Sequence, residues 1–168
     1  PKGAGFTSVA QLTAELINRA IGWKEVETLR ENWDGPLVVK GVLSAGDAKR
    51  CVDLGVDGLV LSNHGGRQLE AMGSALNALP GIRKATRGKL ALFVDGGLSS
   101  GLDVARALAM GAEFVFLGRA FMYGVAALGA PGAEHVVNLL QVELAQAMGQ
   151  IGCPDIAALP RFLANGAA

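Results

Sequence analysis

The chain has 168 residues, enough for one domain with a sizeable core. It is 51% hydrophobic and carries 24 glycines, a composition that excludes an intrinsically disordered chain and suits an α/β protein with tight turns. Its 15 basic and 15 acidic residues cancel, with no basic run longer than two residues, so binding to nucleic acid has no electrostatic support.

In chain order, residues 8–33 read as one or two amphipathic helices, broken by Gly35-Pro36. PLVVKG (36–41) is the first strand. A helix from Ser44 to Leu54 follows, with Ser44 as N-cap and Gly55 as the terminating glycine. VDGLVLSN (56–63) is the second strand, and residues 71–86 a helix interrupted around Pro80-Gly81. KLALFVDGG (89–97) is the third strand, and the helix Ser100–Met110 stops at Gly111. AEFVFLGR (112–119) is the fourth strand. A long helix from about Ala133 to Gln150 and a final helical turn within 153–168 complete the chain. The strands show little polar alternation, as expected for a parallel sheet buried on both faces. No linker divides residues 1–168, so they read as a single domain.

No apolar stretch approaches the roughly 20 residues needed to cross a bilayer, and no signal peptide is visible. The chain opens on Pro1 rather than Met, which implies that its N-terminal part is incomplete. Cys51 and Cys153 lack CxxC spacing and nearby partners. They read as reduced thiols of a cytosolic protein, a disulfide between them being the alternative, with no metal site.

Alternating strands and helices leave two architectures, an open doubly wound sheet and a (β/α)8 barrel. Lys40, Asn63-His64, Asp95 and Arg119 each fall at the C-terminal end of a different strand. A barrel brings those ends to one mouth, whereas an open sheet spreads them along an edge. The barrel is therefore expected, and four strands make half of one.

The stretch LVLSNHGGRQLE (59–70) holds a histidine, two glycines and an arginine where a buried strand stops. A titratable base beside a fixed cation suits an anionic substrate, although a lone His and Arg more often cap a strand and face water. DGGLSSG (95–101) lies between a strand and a helix, where glycines and helix N–H groups can approach an anion. Taken singly it is also an ordinary βα turn, and Asp95 an ordinary N-cap. Lys40 reads either as a snorkelling surface lysine or as a cation beside a cofactor that gains negative charge. Trp23 and Trp33 read as packing residues.

Together these motifs resemble the FMN-dependent 2-hydroxy-acid oxidases and dehydrogenases, which include glycolate oxidase and the lactate and mandelate dehydrogenases. SNHGGRQLE looks like the family's SNHGGRQLD, with Glu70 in place of Asp, and VVKG, VDGG and LGRAFMYG resemble its other strand-end motifs. IGCPDIAALP resembles the bacterial lactate and mandelate dehydrogenase branch. The resemblance implies strands 5–8, the C-terminal half, of a (β/α)8 barrel. It implies His64 as general base and Arg67 as anchor for the substrate carboxylate. Lys40 and Ser62 would lie against the flavin. Asp95, Gly96, Gly97, Ser99, Gly118 and Arg119 would surround its ribityl chain and phosphate. In Ser99-Ser100 the chain departs from the DGG-x-R-R-G pattern, so Arg119 is expected to be the remaining cation at the phosphate.

The implied activity is oxidation of a small 2-hydroxy acid to the 2-keto acid. The implied partners are that substrate and either further copies of the chain or the missing N-terminal half. Membrane contact is implied only through an absent loop, before helix 4 of the barrel, where some family members carry a membrane-docking segment. The alternative is a non-catalytic half-barrel that binds phosphate or pairs with a partner half.

Overall fold

The computed structural model describes residues 21–164. The chain divides into two compact units, residues 1–35 and 36–168. In the first unit, α1 spans Trp23–Asn32. Glu25 Oε2 accepts the Gly22 N–H at 2.7 Å, satisfying one of the donors a helix start leaves unpaired. At the other end the Arg30 guanidinium donates to the carbonyls of Trp33 and Gly35 and closes the turn before Pro36. The expected helical stretch over 8–20 lies outside the described residues.

The second unit runs β1 (Val38–Lys40), α2 (Ala45–Asp53), β2 (Gly58–Leu61), a 3-10 turn (His64–Gly66), α3 (Ala75–Thr86), β3 (Ala91–Asp95) and α4 (Gly101–Ala109). It continues through β4 (Phe114–Phe116), α5 (Arg119–Leu128), α6 (Gly132–Gln150) and a 3-10 segment, Ile156–Phe162. The expected Ser44 cap forms, its Oγ accepting the Asp47 N–H at 3.2 Å, whereas the cap of α4 is Ser100 and not Asp95: Ser100 Oγ accepts the Asp103 N–H at 3.1 Å. Pro80 does not interrupt α3, which tolerates it internally and starts four residues later than expected, at Ala75. Helix α5 was not anticipated. Arg119, read as a strand end, is the first residue of this helix, because β4 stops at Phe116.

The sheet order is β1-β2-β3-β4, all parallel. Right-handed crossovers between strands in that unreversed order put the connecting helices α2, α3 and α4 on one face, as in a barrel wall. Leu59, Leu61, Leu92 and Val94 point into that helical layer and are almost completely buried. Helix α2 packs on α3, and α6 packs on both α4 and α5.

The opposite face carries Val38, Lys40, Phe93, Asp95, Phe114 and Phe116, by register. The expectation of strands buried on both faces holds for β2 but not for β1 and β4. Phe114 is 55% and Phe116 47% exposed, because no layer covers that face here. The two rings meet edge to face at 5.1 Å, and Phe116 meets Phe93 in the same way at 6.2 Å. The fold is α/β and forms the wall of part of a barrel, with an apolar inner face and polar strand ends.

Candidate active site

At the C-terminal edge of the sheet, three successive strands end in Lys40, Ser62 and Asp95. By register Lys40 pairs with Val60 and Val60 with Phe93, so these alternate residues project to the uncovered face. Lys40 Nζ lies 2.8 Å from Asp95 Oδ2 and donates to Ser62 Oγ at 3.0 Å. Ser62 Oγ in turn donates to Asp95 Oδ1. Ser62 is 4% exposed, one of two buried polar side chains among the described residues.

Beyond Ser62 the chain turns sharply. Asn63 Oδ1 accepts the Gly65 N–H at 3.0 Å, and the Gly66 N–H reaches the Asn63 carbonyl, also at 3.0 Å. His64 itself adopts φ 56°, a left-handed conformation that costs a non-glycine residue about 1–2 kcal/mol. Its backbone N–H donates to Ser62 Oγ at 3.0 Å. Its side chain is exposed at the rim, as is that of Arg67.

Gly96 and Gly97 follow β3 with φ 92° and 81°. A β-carbon on Gly96 would sit 2.6 Å from Asn63 Oδ1, so this glycine lets the β2 and β3 loops touch. A β-carbon on Gly97 or Gly118 would meet nothing within 4 Å, leaving both backbones open to a ligand. Arg119 opens α5, and a β-carbon on Gly65 would lie 3.4 Å from its Nη2. The guanidinium therefore reaches back across the mouth to the histidine loop.

One cleft is lined by Lys40, His64, Arg67, Asp95, Gly96, Gly97, Gly118 and Arg119. Ser62 lines an adjoining hollow with Lys40, Asn63 and His64. Ser99 is not brought to the cleft. Its N–H donates to Asp103 Oδ2 at 3.1 Å, and it faces a separate groove between α5 and α6. Asp103 also accepts the Ser100 N–H at 3.2 Å, while Glu143 Oε2 accepts the Gly101 N–H at 2.6 Å. The α4 N-terminus is thus occupied by the chain's own carboxylates. Burial raises the Asp103 pKa, but the hydrogen bonds from Ser99 and Ser100, with Arg106 nearby, outweigh it and hold the carboxyl below its ordinary range.

Several residues at the site escaped the sequence reading. The sequence places Asn63 at a strand end, but its close approach to Gly96, 33 positions away, is not legible there. Met122 lines the cleft from the unanticipated α5, and Phe116 and Leu117 supply an apolar wall. Among the described residues, no cluster of three or more His, Cys, Asp and Glu has the arrangement of a metal site.

The donor set fits FMN. Backbone N–H groups at unhindered glycines and the N-terminus of α5, together with the Arg119 guanidinium, suit a phosphate. Phe116, Leu117 and Met122 offer apolar surface, and Lys40 a cation.

A model of the FMN-dependent dehydrogenase family matches residues 2–165. The chain is 49% identical to an L-lactate dehydrogenase of Vibrio parahaemolyticus over 84% of its own length and 38% of the relative's. It is equally identical, at 49%, to an L-lactate dehydrogenase of Acinetobacter baumannii, over 82% of this chain and 36% of the relative. Among solved structures, (S)-mandelate dehydrogenase, described as a monotopic membrane protein, superposes with a TM-score of 0.88 at 41% identity. That match covers 96% of this chain and 43% of the other. A mandelate oxidase superposes with a TM-score of 0.84 at 42% identity, over 94% of this chain and 46% of the other. The chain therefore spans about two fifths of the length of the curated relatives it matches. With the strand-end cluster, the parallel barrel wall and these similarities together, the chain belongs to the FMN-dependent dehydrogenase family.

Proposed function

We propose that this chain carries the base, the substrate anchor and the phosphate end of an FMN-dependent enzyme that oxidises a small 2-hydroxy acid, of the lactate or mandelate class, to the 2-keto acid. The observation that carries this reading is the convergence of His64, Arg67, Lys40 and Arg119 on one cleft from three different strand ends. FMN, when bound, supplies the acceptor for the two electrons the substrate loses. The His64 imidazole takes one of the two protons released. The planar Arg67 guanidinium holds the substrate carboxylate by paired hydrogen bonds. Lys40, held by Asp95, presents positive charge where the reduced cofactor gains negative charge. Arg119 and the N–H groups of Gly96, Gly97 and Gly118 hold the phosphate.

The test is optical. The purified protein loaded with FMN is mixed anaerobically with lactate and with mandelate, and the visible absorbance of the oxidised flavin is followed. Bleaching by either acid is expected. A flavin that stays oxidised in the presence of every 2-hydroxy acid tried sinks the reading.

A second reading is favoured by one observation, the uncovered inner face bearing Val38, Phe114 and Phe116. On it, the chain works only when paired, with further strands closing the barrel or with another copy, because an open parallel sheet leaves both apolar surface and strand edges exposed. A protein that takes up no FMN alone and elutes as an oligomer supports it. The similarity to a monotopic membrane protein supports contact with a membrane surface, which co-sedimentation with lipid vesicles tests. No helix among the described residues is long and apolar enough to cross a membrane.

A further inference from the structure

We propose that Ser62 is a positioning residue for proton transfer at His64, holding the histidine backbone in its left-handed turn through a hydroxyl whose bonding capacity is fully committed. The inference rests on the function proposed above and concerns how its base is aimed.

A serine hydroxyl has one proton to give and two lone pairs to receive. Ser62 Oγ faces three partners: the His64 backbone N–H at 3.0 Å, Lys40 Nζ at 3.0 Å, and Asp95 Oδ1. The amide and the ammonium are donors only. The hydroxyl proton therefore has a single destination, Asp95, and both lone pairs are taken. Asp95 is itself held, because Lys40 binds its other oxygen at 2.8 Å. The hydroxyl cannot rotate without breaking a bond at a site that is 4% exposed, where water cannot replace the lost partner.

His64 needs such a hold. It is one of two non-glycine residues with positive φ among the described residues, and the other, Arg87, ends α3 far along the chain from the site. Two further left-handed residues follow it, Gly65 at φ 67° and Gly66 at φ 75°. Among the described residues no hydrogen bond reaches the imidazole ring, so the backbone sets where its Cβ sits. The bond from its N–H to Ser62 ties that backbone to the rigid end of β2. Neither the length of the motif nor its residue types disclose this, since Asp95 and Lys40 come from other strands.

The test uses the FMN-loaded protein and the variants Ser62→Ala and Ser62→Thr. Flavin reduction at saturating 2-hydroxy acid is expected to slow about 10–100-fold in Ser62→Ala, the scale of loss when a reacting group is misplaced by an ångström. The dissociation constant for the acid should stay within about twofold, because Arg67 still binds its carboxylate, which separates positioning from binding. Ser62→Thr, which keeps the hydroxyl, should recover most of the rate. Hydrogen exchange of the His64 amide should be slow in the parent and at least about tenfold faster in Ser62→Ala.

A parent-like rate in Ser62→Ala overturns the proposal. So does a rate loss that Ser62→Thr shares in full, or one accompanied by a shift of flavin midpoint potential large enough to explain it, which would place the effect at Lys40. If Ser62→Ala does not fold, an unprotected His64 amide in the parent overturns the proposal by itself. The exchange measurement needs no substrate. A parent protein whose flavin no 2-hydroxy acid reduces therefore sinks the proposed function, while His64 amide exchange still tests the lock.

Discussion

The side-chain oxygen of Asn63 occupies the space that a β-carbon on Gly96 would need, 2.6 Å away. Through this contact the loop after β3 rests on the loop after β2, and the phosphate end of the cleft is registered to the histidine turn. Gly96→Ala must therefore displace Asn63 and, in addition, strain a backbone held at φ 92°. A loss of about 1–3 kcal/mol in stability is expected. Thermal unfolding beside Gly73→Ala measures it, since a β-carbon on Gly73 would meet nothing within 4 Å.

His64→Gln removes the titratable base but keeps a hydrogen-bonding side chain of similar length. Flavin reduction by 2-hydroxy acids should fall about 10²–10⁴-fold, the usual contribution of a general base, while the flavin spectrum of the bound cofactor persists. Normal reduction in rapid mixing would show that another group takes the proton.

Arg119 directly follows Gly118, opens α5 and lines the cleft, whereas Ser99 turns away to Asp103. Arg119→Met should weaken FMN binding by about 1.5–3 kcal/mol, roughly one to two decades in affinity. Riboflavin, which lacks the phosphate, should bind parent and variant alike. Equal losses for both ligands would move Arg119 away from the phosphate.

Asp103 has its pKa depressed in the folded protein, so its contribution to stability is present above the ordinary carboxylate value and is lost as pH falls through the lower folded value. Stability should therefore decline in acid below about pH 4, and Asp103→Asn should flatten that part of the profile. Ser100→Ala removes the reciprocal cap and should cost about 0.5–2 kcal/mol near neutral pH. Urea titrations across the acid range read both effects.

Cys51 is completely buried, and burial, with Asp47 adding to it, pushes its thiol pKa up. The thiol stays protonated and enclosed, so iodoacetamide at neutral pH should leave it unmodified until the protein unfolds. Rapid alkylation of the native protein, read by mass spectrometry, contradicts this.

Much of the architecture was legible in the chain itself. Local signals suffice for it: apolar runs broken by glycines define the strands, and Ser44 and Ser100 mark helix starts. Placing Lys40, His64 and Asp95 at strand ends required only that periodicity, and a parallel barrel wall then gathers them with Arg119, which opens α5 instead of ending a strand. Helix α5 was not legible, because LGRAFMYG continues an apolar strand without a cap or a break, and only the end of the β3–β4 ladder at Phe116 decides where helix begins. The exposure of Phe114 and Phe116 was equally hidden, since hydrophobicity states what a residue prefers to contact and not which face of a sheet is covered.

The sequence by itself determined the residue types of the site, the α/β order and the likeness to FMN-dependent dehydrogenases, because those depend on neighbours along the chain. Tertiary structure alone decided that Ser62 binds Asp95 and Lys40 and that Asn63 fills the gap at Gly96. Hydrogen bonds act over about 3 Å of space, and the pairing of strands, not distance along the chain, brings these partners within reach.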